Sequence, residues 1–417
     1  MKIVIIANFV ILPWEAGNCR FLYLLNHLDC KKNDVELITT DFWHSKKTSR
    51  EQKKLNLPFK ITYIHEPGYK KNICLKRFYS HYVWGKNVKK YLKSMKKPDV
   101  VYCSVPSLTG PSLVAKYCEK NNIKFIIDVQ DLWPEAFKMI FNPPIIGNLI
   151  YLPFRIKANS IYKRADEICA VSDTYASRAF EVNKKCQSYH TVFLGTELKT
   201  FDKNVEIEKN VVDFMDKKVK QDDIIIFHDQ PLKLIKSKDE LWIGYCGTLG
   251  SSYDLENAIK AIATLKNVNI RLIVMGNGPL YDKFIELARS EKIKATFTDK
   301  IPYSKMCSIL CKCDITINPI KHNAAQSIIN KHADYVASGL PLISTQENNE
   351  FRELVEKYNI GFNCKNDDIM DISNCISKLA KNKKLRETMG KNARKLAEEK
   401  FDRFKTYDEL VKLIFQK

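Results

Sequence analysis

The sequence predicts an α/β protein with two domains, each built around a parallel sheet. Short runs rich in β-branched and aromatic residues alternate with helical or polar stretches, and this alternation starts again near residue 241. The 417 residues are 45% hydrophobic, which suffices for two cores of ordinary size. No stretch approaches the roughly 18 uninterrupted apolar residues of a membrane-spanning helix. We therefore expect a soluble, two-domain α/β protein.

The first domain is predicted over residues 1–195, and the amphipathic stretch 396–417 is expected to return to it as a C-terminal helix. The apolar opening 2–14 is interpreted as the first core strand, because it carries only one lysine, at its start, and no clear cleavage site of a secretory signal follows. The β-rich runs of this domain are 2–10, 35–39, 100–104, 125–129, 167–171 and 191–194.

The second domain is predicted over residues 241–395. The intervening stretch 196–240 is charged and rich in turn residues, so we interpret it as a linker with a small insertion around the apolar run 224–227. The β-rich runs of the second domain are 241–246, 270–275, 296–298, 315–318, 342–344 and 360–363.

The net charge of +20 is concentrated in the first half of the chain. Residues 1–200 contain 32 Lys and Arg against 17 Asp and Glu, and much of the excess lies between Lys46 and Lys97 among aromatic residues. Such a surface suits an anionic membrane; a solvated basic face without a partner is the alternative. Nucleic acid is not an expected partner, because zinc-finger spacing, an RNP-type motif and a recognition helix are absent.

The thirteen cysteines stand mostly in apolar runs, as reduced core thiols of a cytoplasmic protein do. Cys307, Cys311 and Cys313 cluster, but their spacing does not fit a zinc knuckle. We expect a cytoplasmic protein, with peripheral attachment to the inner face of the membrane as an open alternative.

The stretch 323–344, NAAQSIINKHADYVASGLPLIS, predicts a helix that leads into a buried strand. Ser327 is expected to cap the amino end of this helix, and Gly339 suits a left-handed residue just beyond its last turn. The open end of such a helix carries unpaired N–H groups and roughly half a positive charge, which suits a phosphate. Lys331 and Asp334 lie one turn apart, so both are expected to serve one nucleoside diphosphate.

Glycines mark the ends of two predicted strands. Backbone N–H groups at such turns can approach an anion closely, although a tight turn without a ligand has the same pattern. Ligands of parallel sheets collect at the carboxyl ends of strands, so we expect these turns to contact the ligand. The residues concerned are Gly17 and Asn18 after the first strand, and Gly247, Thr248, Leu249 and Gly250 after the run 241–246.

Several segments taken together resemble a known family. They are Gly17, IIDVQDLWPEAF at 126–137, FLGTE at 193–197, GYCGTLG at 244–250, IVMGNGP at 273–279 and SIINKHADYVASGLPLIS at 327–344. In this order they resemble family 4 glycosyltransferases of the GT-B fold, especially those of capsule and O-antigen assembly. The resemblance implies two Rossmann-like domains that face a cleft, a nucleotide sugar held mainly by the C-terminal domain, an acceptor held by the N-terminal domain, and transfer with retention of anomeric configuration.

Two departures from the family pattern bear on the site. Many members carry an E-x7-E pair, and the matching positions here are Gln326 and Asp334. Asp334 is expected to accept hydrogen bonds from the two ribose hydroxyls, whereas Gln326 can only hydrogen-bond sugar hydroxyls. A basic residue common after the glycine turn is replaced by the run 251–253, SSY, so the diphosphate charge is expected to rest on Lys331, helix N-termini and Lys321.

The sequence contains no D-x-D, the aspartate pair that usually holds the metal of metal-dependent sugar transferases. Negative charge that builds up on a departing diphosphate must therefore be met by fixed donors. We expect transfer without a metal ion or cofactor, with Lys331 and backbone N–H groups in the role of the cation.

Asp131 is the candidate catalytic residue on the acceptor side, because it directly follows the strand 125–129. It is expected to polarise the acceptor hydroxyl or to steady the positive anomeric carbon; capping of a helix that begins near Pro134 is the alternative. The apolar stretch 139–154 is interpreted as core, with shallow membrane docking as the alternative.

The sequence thus predicts a retaining, metal-independent glycosyltransferase. It is expected to move a sugar from a UDP-sugar, with a GDP-sugar as the alternative, to a glycan or polyprenyl-linked acceptor. A nucleotide-sugar epimerase or hydrolase of the same fold, and a non-enzymatic protein that binds membranes or nucleic acid, are the alternatives. A dinucleotide oxidoreductase would need G-x-G-x-x-G, of which Gly276 and Gly278 give only a fragment.

Overall fold

The computed structural model describes residues 1–15, 20–53, 56–72, 74–138, 143, 147–217, 221–227, 232–324 and 327–416. The chain forms two compact units: Met1–Phe193 together with Thr406–Lys417, and Leu194–Lys405. Among the described residues, no helix combines the length and the apolar composition that crossing a bilayer requires. The predicted linker 196–240 lies within the second unit.

The described part of the first unit contains a seven-stranded parallel sheet flanked by helices. Its strands are β1 (Lys2–Ile6), β2 (Asp34–Thr40), β5 (Lys60–Ile64), β6 (Val100–Val105), β7 (Lys124–Val129), β8 (Glu167–Ala170) and β9 (His190–Thr191), and a small hairpin adds β3 (Phe42–Trp43) and β4 (Thr48–Ser49). The helices are α1 (Arg20–His27), α2 (Leu75–Ser94), α3 (Thr109–Lys120), α4 (Glu135–Lys138), α5 (Gly147–Tyr162) and α6 (Asp173–Phe180). The order in the sheet is β5-β2-β1-β6-β7-β8-β9.

Alternate residues of the central strand β1 enter two separate cores. Ile3 and Ile5 pack into one cluster and Val4 and Ile6 into the other. Side chains of a strand point alternately to its two faces, so a sheet covered by helices on both sides needs a continuous apolar run. This is why the sequence predicts β1 readily. The strand ends at Ile6, however, and not at residue 10 as the apolar run suggests.

The second unit repeats this architecture around another sheet, with the order β11-β15-β14-β13-β16-β17-β18 among its described residues. The strands are β10 (Val212–Met215), β11 (Ile224–Ile226), β12 (Leu234–Ser237), β13 (Leu241–Cys246), β14 (Ile270–Met275), β15 (Lys294–Phe297), β16 (Ile315–Asn318), β17 (Leu342–Ser344) and β18 (Gly361–Asn363); β10 and β12 form a two-stranded sheet of their own. The apolar run at 224–227 is thus an edge strand of the main sheet, paired with β15.

The helices of the second unit follow the strands in alternation. They are α7 (Leu198–Ile207), α8 (Leu255–Ala263), α9 (Tyr281–Ser290), α10 (Tyr303–Cys311), α11 (Asn330–Ala337), α12 (Asn349–Tyr358), α13 (Ile369–Lys381) and α14 (Lys383–Leu396), together with a 3₁₀ turn at Lys209–Val211 and a π-helical turn at Ala397–Phe401. The last helix, α15 (Arg403–Phe415), runs from the second unit into the first.

A buried ion pair ties α1, β7 and α15 together inside the first unit. The Arg20 guanidinium donates from Nε to Asp128 Oδ2 over 2.7 Å and from Nη2 to Asp128 Oδ1 over 3.1 Å. It also donates to the carbonyl of Val192 and lies over the ring of Tyr407 on α15. The side chains of Arg20 and Asp128 are 2% and 0% exposed. Each charge therefore relies on the other for compensation.

We predict that Asp128→Asn lowers the free energy of unfolding by about 3–5 kcal/mol, because the arginine is left charged, buried and without its counter-ion. Urea denaturation followed by circular dichroism measures the change. The matched control is Glu119→Gln, which breaks the partly exposed Arg164–Glu119 pair and should cost about 1 kcal/mol or less. Equal losses in the two variants would contradict the prediction.

Candidate functional site

The glycine turn after β13 is packed against a second glycine turn after β14. Gly247 has a φ of +133° and Gly276 a φ of +148°, a region that favours glycine. A Cβ atom on Gly276 would collide with the carbonyl oxygen of Gly247, and one on Gly278 with that of Leu249. Gly276 and Gly278 are therefore required by the close approach of the two turns. Gly250 is not required in this way, because a Cβ there would meet only Thr248 Cγ2 at 3.8 Å.

Two of the four amides in the turn are used within the fold. Gly247 N donates to Met275 O over 2.9 Å, and Leu249 N donates to Asn277 O over 3.0 Å. The amides of Thr248 and Gly250 have no partner in the part of the chain that the structure describes. Two backbone donors thus remain available to a ligand at this turn.

Lys331, in the first turn of α11, lies against this glycine turn. A Cβ atom on Gly247 would be 3.1 Å from both Cε and Nζ of Lys331. The ammonium donates to Tyr245 Oη over 3.2 Å and lies 3.6 Å from the ring centroid of Tyr253 and 4.3 Å from that of Tyr245. The structure therefore brings Gly247 and Lys331 together.

The ammonium of Lys331 is buried without a negative partner. The residue is 8% exposed, and within the described residues it forms no ion pair with a carboxylate. Burial lowers the pKa of Lys331 to about 7, because the charged form has lost its water and gained only one hydrogen bond and two aromatic faces. An uncompensated buried cation is costly, and a bound anion would remove that cost.

Asp334 stands one turn further along α11 and has different neighbours. Tyr303 Oη donates to Asp334 Oδ1 over 2.6 Å and lies 3.0 Å from Thr196 Oγ1. Burial raises the pKa of Asp334 to about 6, although the bond from Tyr303 and the charge of Arg403 both lower it. Lys331 and Asp334 therefore share a helix but contact separate groups of side chains. Both are near Cys246, at the end of β13, because the charge of Asp334 raises the pKa of its thiol and the charge of Lys331 lowers it.

The predicted capping role of Ser327 is wrong. Helix α11 begins at Asn330, and the residue before it, Ile329, has an extended backbone. Ser327 instead donates from its hydroxyl to Glu350 Oε2 over 3.0 Å, while its carbonyl accepts a hydrogen bond from Gln346 Nε2. These tertiary bonds tie Ser327 to residues outside α11, so the helix starts later than local propensity suggests.

A buried polar network supports the amino end of α11. The ring of His332 accepts at Nδ1 from the N–H of Ile329 over 3.3 Å, and its Nε2 lies 3.1 Å from Asn318 Nδ2. The ring also stacks on Phe351, with 3.5 Å between centroids. Burial holds the pKa of His332 well below its usual value, so the imidazole is neutral and acts as a structural support.

Other predicted donor-side residues are placed as follows. Lys321 lies beside the 251–253 turn, because its N–H donates to Ser252 O over 3.1 Å. The predicted left-handed conformation of Gly339 is confirmed by a φ of +67°. Gly17, Asn18 and Gln326 lie outside the described residues.

Three tyrosines of the second unit were not singled out by the sequence as partners of the site. Tyr245 and Tyr253 enclose the ammonium of Lys331, and Tyr303 binds Asp334. Tyr245 and Tyr253 flank the glycine turn in sequence, which is the one available signal. Tyr303 is 31 residues from Asp334, and nothing in its local sequence marks it.

Asp131 belongs to the first unit and lies just beyond the carboxyl end of β7. Its Oδ1 accepts from the N–H of Leu132 over 2.9 Å, and its Oδ2 accepts from Trp133 Nε1 over 3.2 Å. These bonds do not cap α4, so the alternative of a simple helix cap is not supported. Burial raises the pKa of the Asp131 carboxyl, which the bonds from Trp133 and Leu132 and the charge of Arg77 partly offset.

Comparisons with known proteins were made by sequence family and by structure. The model of the family described as "Glycosyl transferases group 1" matches residues 227–396, a range that contains the glycine turn and α11. No curated protein matches the chain in sequence.

Solved structures resemble the chain over its whole length. HepE of Anabaena in complex with UDP is 12% identical, with a TM-score of 0.67 over 100% of both chains. Sucrose-phosphate synthase of Thermosynechococcus elongatus is 13% identical, with a TM-score of 0.71 over 100% of this chain and 98% of that one. WaaG, a glycosyltransferase involved in lipopolysaccharide biosynthesis, is 13% identical, with a TM-score of 0.61 over 100% of both chains.

At such low identities these likenesses establish the fold. They confirm the predicted α/β class and the GT-B fold with two Rossmann-like domains, each with the parallel sheet described above. Together, the family model over residues 227–396 and the fold of the whole chain support a GT-B glycosyltransferase.

Proposed function

We propose that this protein is a retaining glycosyltransferase that moves a sugar from a nucleotide sugar, with UDP-sugars favoured, to a glycan or lipid-linked acceptor in surface polysaccharide biosynthesis. The family model and the fold support the reaction class. UDP is favoured because the solved structures of HepE contain UDP or UDP-glucose. The polysaccharide role rests on the sequence resemblance and on the likeness to WaaG.

The observation that carries the proposal is the unpaired ammonium of Lys331 beside the glycine turn. A nucleoside diphosphate bound there would supply the missing negative charge, and the amides of Thr248 and Gly250 would donate to its oxygens. The anion would also raise the pKa of Lys331, so binding near neutral pH should be coupled to proton uptake.

The same groups explain how the site would assist bond cleavage. When the anomeric carbon separates from the donor phosphate, negative charge grows on the leaving diphosphate. A cation and N–H groups that are already fixed in place stabilise this charge more than they stabilise the intact donor. We propose that Lys331 fills this role without a metal ion, in keeping with a sequence that lacks D-x-D.

Asp334 is proposed to hold the ribose of the donor, and Gln326 the transferred sugar. The Asp334 carboxylate has one oxygen bound to Tyr303, which leaves its other oxygen for a ribose hydroxyl. Gly17, Asn18 and Ser327 are proposed to contribute to the donor site, as the sequence predicts. The predicted contact of Leu249 with the ligand is not supported, because its N–H donates to Asn277 O and its carbonyl accepts from the N–H of Leu280.

Asp131 is proposed to act on the acceptor hydroxyl. Its two carboxylate oxygens are oriented by Leu132 and Trp133, and its raised pKa makes it a better proton acceptor than an ordinary aspartate. Retention of anomeric configuration, however, is carried by the family resemblance and not by this geometry.

Peripheral attachment to an anionic membrane is proposed for the surface formed by α2 and α5, with the protein otherwise in the cytoplasm. The two helices adjoin, because Phe78 packs on Phe154 with 5.2 Å between ring centroids. Leu75 on α2 is 86% exposed and Leu149 on α5 is 69% exposed. Exposed apolar side chains on a strongly basic domain suit an interface of anionic lipids.

We predict that Lys331→Met abolishes stabilisation by UDP without destabilising the free protein. Between about pH 7, the folded pKa, and about pH 10, the ordinary value, the unfolded chain holds more protons at Lys331 than the folded chain does. The unfolding free energy of wild type relative to the variant should therefore rise across this range. Urea denaturation at several pH values and melting with UDP measure the two effects. A constant difference at all pH values would contradict the assignment.

Asp334 should discriminate UDP from 2′-deoxy-UDP. We predict that wild type is stabilised more by UDP, that Asp334→Ala abolishes the difference, and that a chelator changes neither response. Melting temperatures with UDP, 2′-deoxy-UDP, GDP, ADP and dTDP measure this. Asp131→Asn is the control: it should keep the UDP response and lower the rate of sugar transfer by about 10²-fold or more.

Two outcomes would contradict the proposed reaction. A UDP response that changes with a chelator would reject the metal-free mechanism, and an isomerised donor sugar in reactions without acceptor would favour an epimerase.

For membrane attachment, we predict that the protein floats with phosphatidylglycerol vesicles and not with phosphatidylcholine vesicles. Leu75→Ser combined with Leu149→Ser should weaken flotation, because apolar area that would enter the lipid interface is removed. Phe404→Ser is the matched control, since Phe404 is also exposed but lies on α15. Equal flotation of the double variant and the control would reject this surface.

A further inference from the structure

A group of cationic and aromatic side chains lies beyond the carboxyl ends of four parallel strands in the first unit. Phe9 follows β1, Lys47 lies in the turn of the β3–β4 hairpin that follows β2, Tyr69 follows β5 and Trp133 follows β7. Ligands of parallel sheets bind at this edge of the strands. We call Arg77, Lys47, Tyr69 and Trp133 the cationic cluster.

Arg77, on α2, is the centre of the cluster. Its guanidinium carbon lies 4.7 Å from the ring centroid of Trp133, 5.6 Å from that of Tyr69 and 5.7 Å from that of Phe9. Nη1 donates to Asn72 O over 2.9 Å, but the Nε–H is buried and has no partner in the part of the chain described. The fork of donors that suits a carboxylate or phosphate is therefore incompletely used.

Lys47 adds a second positive charge to the same place. Its ammonium donates to His44 O over 2.6 Å and to Asn72 Oδ1, and it lies 5.0 Å from the ring centroid of Tyr69. Lys47 and Arg77 thus meet at Asn72 and Tyr69. The charge of Arg77 adds to the effect of burial in lowering the pKa of Lys47. The two cations therefore repel each other, and an anion bound between them would relieve this repulsion.

Two acidic side chains, Glu66 and Asp131, lie near the cluster. Glu66 accepts hydrogen bonds from Asn8 and Ser80, and Asp131 accepts from Leu132 and Trp133. Within the described residues, neither Arg77 nor Lys47 forms an ion pair with a carboxylate. The two cations therefore stand against aromatic rings without a directly paired counter-ion; the nearest effect of an acidic group is that of Asp131, whose pKa the charge of Arg77 lowers.

The two histidines beside the cluster are neutral, mainly because they are buried. Burial lowers the pKa of His44 to about 4, helped by the charges of Lys47 and Arg77. Burial lowers the pKa of His81 to about 3, helped by Arg77 and His44. The positive charge of the cluster is thus that of Arg77 and Lys47.

We propose that the cationic cluster binds an anionic group of the acceptor, a phosphate or a carboxylate, so that the enzyme glycosylates acceptors that carry negative charge. This inference rests on the proposed function. The Trp133 ring joins the cluster to the candidate catalytic residue, because the Arg77 guanidinium lies over the ring and Trp133 Nε1 donates to Asp131. An anion held by Arg77 would therefore lie close to the group that acts on the acceptor hydroxyl.

Calorimetric titration of the full chain, saturated with UDP, tests the proposal with three probes: pyrophosphate, glucuronate and glucose. We expect at least one anion to bind and glucose not to bind. Arg77→Gln and Lys47→Met should each weaken the anion by about tenfold or more, since each removes a charge-assisted contact. Arg77→Lys should restore part of the affinity. Lys86→Met, which removes an exposed lysine of α2, should change nothing.

Each outcome decides a separate point. Binding of pyrophosphate alone indicates a phosphate-bearing acceptor, and binding of glucuronate alone indicates an acidic sugar; both support the proposal. Absence of anion binding, or equal affinity in the Arg77 and Lys47 variants and wild type, overturns it. Lys331→Met separates the two sites: anion binding that survives in this variant and is lost in Arg77→Gln supports the cluster, even if UDP fails to stabilise wild type and the proposed function falls.

Discussion

A lysine ammonium held out of water without a counter-ion is the constraint around which the carboxyl edge of the second sheet is organised. Lys331 can occupy this position because Gly247 has no side chain and because two tyrosine rings face the charge. Aromatic faces and one hydroxyl replace only part of the lost hydration. In the free protein the positive charge of Lys331 is therefore only partly compensated. A ligand with two phosphates has the negative charge and the acceptor atoms to compensate it.

The first unit shows a related arrangement on a different sheet. Its buried centre is satisfied, since Arg20 and Asp128 neutralise each other bidentately. At the carboxyl edge, by contrast, Arg77 and Lys47 have only neutral partners. Arg20 is paired inside the fold, and so is Arg50 with Glu15, whereas Lys331, Arg77 and Lys47 form no ion pair within the described residues. This contrast is the reason why Lys331, Arg77 and Lys47 are the residues proposed to bind anions.

Sequence reasoning predicted central strands better than edges and local motifs better than tertiary contacts. Strands β13, β14, β16 and β17 match their predicted bounds, because strands buried on both faces are continuous apolar runs. Strands β5 and β11 stand at sheet edges, where half-exposed residues weaken the pattern, and β11 was assigned to a linker. Lys331 and the glycine turn were identified from their motifs. The start of α11 was misplaced because Gln346 and Glu350, distant in sequence, hold Ser327 outside the helix.

The course of α15 has a consequence for the order in which the protein can fold. Leu410, Leu413 and Ile414 belong to the same core as Ile3 and Ile5, and Tyr407 contacts Arg20. Everything from 194 to 405 is made by the ribosome before these side chains exist. The first unit, although begun first, cannot complete its core until the second has been synthesised, so a nascent chain must carry an open apolar face for most of translation. Chaperone contact during synthesis should therefore fall on the first unit more than on the second.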